Sequence, residues 1–117
     1  MNDQGDIKDR EGIEKDSQIV SFIRDRLSKI TSAIYLVTEL VPEGDPLRYK
    51  LREMSLRDDA GTISGFDNIL RLLSVALNVG LISSMNYEVL EKEIRTCKNN
   101  LQSHTLTLSE SYFGPRF

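Results

Sequence analysis

Four bases crowd one short stretch of the chain: Arg48, Lys50, Arg52 and Arg57, opposed there only by Glu53 before Asp58 and Asp59 close the segment. On a helix Arg48 and Arg52 fall one turn apart on one face, and Lys50 and Arg57 share another. Such a stretch can cradle phosphate, with Arg24, Arg26 and Lys29 adding charge from an earlier helix. It can equally be a solvated, salt-bridged face. The single histidine, His104, and the single cysteine, Cys97, are seven residues apart. Along a helix that is about 10 Å, too far for a dyad. Both fall on an apolar seam, so His104 reads as a half-buried packing residue and Cys97 as a small core hydrophobe. The same seam turns Glu88, Glu91 and Glu93 outward. The inward Glu-x-x-His pattern of a bundle metal site is missing, as is a glycine-rich phosphate loop, since Gly61, Gly65 and Gly80 fall at helix ends. The expectation is a chain that is not an enzyme and takes no metal or cofactor.

The elements that must position these residues are written in the apolar spacing. Val20, Ile23, Leu27, Ile30, Ile34, Val37 and Val41 alternate steps of three and four, one continuous helical seam, widened on one side by Ala33, Leu36 and Leu40. The first helix is expected to start at Asp16 or Ser17, a good cap, and to stop at Val41 before Pro42. Asp45-Pro46 opens a second helix, about 46–59, that buries Leu47, Leu51 and Met54. Thr62 and Ser64 compete to cap a third, about 65–79, which is apolar around most of its circumference apart from Arg71, Ser74 and Asn78. That excess marks it as a self-association surface, with Leu72, Val75 and Val79 as interface residues. After Gly80, Asn86 is the expected cap of a fourth helix, with Met85 and Leu90 forming a staple across it. There the seam returns: Tyr87, Leu90, Ile94, Cys97, Leu101, His104 and Leu108. Short loops favour antiparallel neighbours, so the expected fold is all-α, an up-down-up-down four-helix bundle over residues 17–108.

The totals agree with one domain. The chain has 117 residues, 39% hydrophobic and 28% charged, with no apolar run of the roughly 20 residues that a membrane span needs. One cysteine allows no internal disulfide, and the polar start lacks the core of a secretory signal, so a cytoplasmic location is expected. The net charge of −3 is concentrated in residues 1–16, with six acids against three bases, and the remainder is neutral. Residues 1–16 are expected to form a mobile acidic tail, since Ile7 and Ile13 are too little to offset the entropy of ordering it. Residues 109–117 form an aromatic tail in which Tyr112, Phe113 and Phe117 either strap the bundle or dock on a partner.

At Tyr35-Leu36-Val37-Thr38-Glu39-Leu40-Val41-Pro42, followed by Leu47-Arg48 and Leu51-Arg52, the chain resembles a small four-helix-bundle family. That family comprises the ribosomal-RNA intervening-sequence proteins and the accessory variability determinants of diversity-generating retroelements. The resemblance spans roughly Ile19 to Leu108. It implies a pentamer whose basic surface engages RNA, DNA and, in retroelements, a reverse transcriptase. The leading expectation is therefore a homo-oligomeric accessory protein for nucleic-acid binding, with Arg48, Lys50, Arg52 and Arg57 on phosphate. The alternative is a protein-interaction or oligomerisation module that touches no nucleic acid.

Overall fold

The computed structural model describes residues 3–113, with side chains described over residues 17–104. Four helices follow one another: α1 (Asp3–Thr38), α2 (Pro46–Leu56), α3 (Ile63–Asn78) and α4 (Ser84–Phe113). Each packs against its neighbours in the chain, and α1 also packs against α4, so the helices form a ring in chain order. The result is an all-α four-helix bundle, as the two seams require.

The members of that ring are unequal. At 1.5 Å per residue α1 spans about 54 Å and α4 about 45 Å, against about 16 Å for α2 and about 24 Å for α3. The molecule accordingly measures 64 × 29 × 21 Å, and its radius of gyration of 18.0 Å exceeds the roughly 13 Å of an equally long compact domain. Cover for the α1 seam ends at the α2–α3 turn, where Gly61 sits against Ile23 and Leu27. Within the reach of α2 and α3 the seam is buried at Ile23, Ile30, Ile34 and Val41. Val20, one step further out, is exposed because neither short helix extends to it. Opposite these residues lie Leu51 of α2, Phe66, Ile69, Leu73 and Ala76 of α3, and Leu90, Ile94 and Cys97 of α4.

The helix ends show where local chemistry decides. Asp45 caps α2 as expected, its carboxylate accepting from the Leu47 amide at 2.9 Å with Pro46 in the first turn. Thr62 prevails over Ser64 on α3, accepting from the Gly65 amide at 3.0 Å. Gly80, at φ 78°, ends α3 with its amide donating to Leu77 O while the Leu81 amide donates to Ala76 O. This paired closure needs a left-handed residue, and glycine adopts that conformation without strain.

Other boundaries differ from the sequence reading. α1 begins at Asp3 rather than near Ser17, because extending an existing helix adds a hydrogen bond per residue without a second nucleation cost, and residues 3–16 contain no proline. It ends at Thr38, three residues before Val41, since the Leu40 and Val41 amides turn back to Val37 O and Thr38 O in tighter turns. α2 stops at Leu56, with Arg57 already extended and the Ser55 carbonyl taken by the Thr31 hydroxyl. α4 is capped by Ser83, whose hydroxyl accepts from the Asn86 amide at 3.1 Å. Asn86 therefore lies inside the first turn, and Met85 is exposed rather than stapled to Leu90. α4 continues through Ser109–Ser111 to Phe113, the last residue before Gly114-Pro115. The mobility expected of residues 1–16 and the docking role expected of Tyr112–Phe117 fall outside the described side chains.

Candidate functional site

The basic stretch lies on α2, beside the C-terminal end of α1, and that end supplies unpaired carbonyls and a partial negative charge. Arg52 occupies it. Its Nε donates to Thr38 Oγ1 at 2.7 Å, its Nη2 donates to Tyr35 O at 3.2 Å and meets Glu39 Oε1 at 3.1 Å, and its guanidinium lies 4.6 Å from the Tyr35 ring centroid. Thr38 in turn donates to Ile34 O at 2.6 Å, so hydroxyl and guanidinium together close the last turn. Arg48 completes the corner by donating from Nη1 to Val41 O at 2.9 Å, with Nη2 3.6 Å from Glu39. The two side chains are only 11% (Arg48) and 15% (Arg52) exposed. The Arg48 Nε is buried and has no hydrogen-bond partner among the described residues. Planar guanidinium groups suit this task because each can serve several acceptors at once.

The structure thus brings Arg48 and Arg52 together, but faces them inward onto α1. Lys50 and Arg57 point elsewhere and are half exposed, Lys50 3.7 Å from Glu53 and Arg57 3.3 Å from Asp59. Helical spacing identifies which bases share a face but not what that face meets. Thr38 and Glu39, just before a short loop, were the available signal that α2 would return its arginines to this end. Tyr35, Thr38, Val41, Arg48 and Arg52 form one interlocked corner.

The remaining expected residues divide between core and surface. Cys97 is fully buried, and desolvation, with Glu93 adding to it, pushes its thiol pKa up from 9.0 against the opposing charge of Arg26. Alkylation at neutral pH is therefore expected to run at least about tenfold slower in the folded chain than in urea, as followed by mass spectrometry. Because the unfolded thiol ionises first, stability should fall as pH rises through the ordinary thiol range and hold below it. His104 lines an open groove between α1 and α4 with Gln18, Ile19, Phe22 and Asn100. Among the described residues no group of three or more His, Cys, Asp or Glu side chains is placed to hold a metal ion, and no helix is long and apolar enough to cross a membrane.

Of the expected interface residues on α3, Leu72 is half-buried against the core, while Val75 and Val79 are exposed. A second apolar surface was not anticipated. Leu36 of α1 and Leu40 just past its end, which widen the seam in sequence, lie uncovered at 73% and 75% exposure, and Met85 and Val89 of α4 at 73% and 63%. Their spacing of four residues within each pair was the legible signal. In comparison with known proteins, the chain matches no family model, no curated protein and no solved structure.

Proposed function

We propose that this chain is a non-catalytic, self-associating helical bundle that serves as an interaction module in a larger assembly. The supporting observation is the distribution of large apolar side chains outside the core: Leu36 and Leu40 at the end of α1, Met85 and Val89 on α4, and Val75 and Val79 at the end of α3. Uncovered apolar surface grouped on helix faces is what association sites look like. The purified chain is expected to scatter light as a dimer or larger species across the micromolar range. A monomer at every concentration overturns the reading.

The family resemblance extends the proposal to an assembly that handles nucleic acid, a reverse transcriptase among the partners. The exposed bases Arg24, Lys29, Lys50 and Arg57 would then meet phosphate, in place of the inward Arg48 and Arg52. Titration of labelled RNA and DNA at two salt concentrations separates the two forms of the proposal. Salt-sensitive binding lost on Lys50→Glu with Arg57→Glu supports nucleic acid as the partner. No binding at low salt leaves a protein partner alone.

A further inference from the structure

Leu36, Leu40, Met85 and Val89 belong to one surface. On α1, Arg26 and Ala33 recur at an interval of seven and share one stripe, Leu36 follows within a turn of Ala33, and Leu40 lies in the turn just past the helix, its amide donating to Val37 O. On α4, Met85, Val89 and Glu93 recur at intervals of four. The Arg26–Glu93 ion pair, 2.6 Å long, holds the two stripes side by side. The patch therefore straddles the outer edge of the α1–α4 seam.

Its two ends carry opposite charge. Lys29, seven residues before Leu36, and Lys92, seven after Met85, bound it on the side of the α2–α3 turn. Both are exposed, and neither has an ion pair among the described residues. Glu43, exposed in the loop that follows α1, comes three residues after Leu40 in the chain.

We propose that two copies of this chain pair through this patch about a two-fold axis perpendicular to the helices. Such an axis sets a surface against itself reversed end for end. The Lys29 and Lys92 end of each copy then meets the Glu43 end of the other, so the attraction is formed twice. A two-fold axis parallel to the helices would set lysine against lysine, which disfavours it. The inference rests on the self-association reading and names its surface. Four side chains and their charged rim fall below the roughly 800 Å² per partner of a standard interface, so the dimer dissociates in the micromolar range.

The test is sedimentation velocity of the full chain over about two decades of concentration around the micromolar range. Leu36→Asp and Met85→Asp, each at an exposed site, are expected to weaken association at least tenfold while far-ultraviolet dichroism stays unchanged. Val75→Asp with Val79→Asp is expected to leave association intact. Glu43→Lys, and separately Lys29→Glu with Lys92→Glu, should each weaken it, and mixing these two variants should restore it. Native association that survives Leu36→Asp and Met85→Asp overturns the inference while self-association stands. A native monomer removes both, and a charge-exchanged mixture that stays monomeric overturns the two-fold arrangement.

Discussion

Gly65→Ala is expected to destabilise the bundle by about 3 kcal/mol or more, at the upper end of overpacking costs. A methyl group built there would lie 2.1 Å from Asp59 O and 2.8 Å from Ala60 O. Both neighbours are backbone, so neither can swing aside as a long side chain would. The α2–α3 turn crosses the first turn of α3 at this point, and Ala60, next to it, is buried in the core. Relief would require the turn to lift, which would uncover Ala60 and loosen Thr62, whose hydroxyl accepts from the Gly65 amide. The urea midpoint should fall by more than about 1 M with the slope unchanged. Gly44→Ala provides the contrast: nothing lies within 4 Å of its added methyl, so it is expected to be neutral or slightly stabilising. Equal midpoints for the two variants would show that the turn does not press on α3.

Arg52→Ala should cost about 2–3 kcal/mol, because hydrogen bonds to a charged donor are worth more than neutral ones and several are lost together. Removing the guanidinium withdraws a donor from Tyr35 O and from Thr38 Oγ1, and Thr38 is buried. Glu39, largely exposed, can return to water, so the loss falls on the helix end rather than on a stranded carboxylate. Arg52→Lys is expected to recover less than half of the deficit: a single ammonium can meet Glu39 but lacks the planar fork that spans hydroxyl and carbonyl. Thermal or urea unfolding measures both variants. Full recovery by lysine would assign the effect to charge alone.

The fold was legible where a period carries it. The steps of three and four along α1 and α4 specify two long amphipathic helices whatever surrounds them, and Pro42, Asp45-Pro46 and Gly80 mark ends by backbone constraints that no tertiary contact can reverse. Boundaries without such constraints were less legible. Asn86 and Ser83 are comparable caps, and the choice between them depends on where Gly80 releases the chain. The start of α1 depends on propagation from a packed seam, a cooperative property absent from any single residue. The candidate site was harder still. Arg48 and Arg52 fall on one face by spacing, but the direction of that face follows from the tight return after Pro42, which lays α2 along the end of α1. Leu36 and Leu40 looked like extra core and proved to be surface.

The order of the ring also bears on how the chain finds its structure. Three of the four helix contacts join consecutive elements and close short loops at small entropic cost. The α1–α4 contact alone spans the molecule, and its ion pair joins residues 67 positions apart. The largest sequence separations thus lie in one seam, and assembly speed depends on how early the last helix returns to the first.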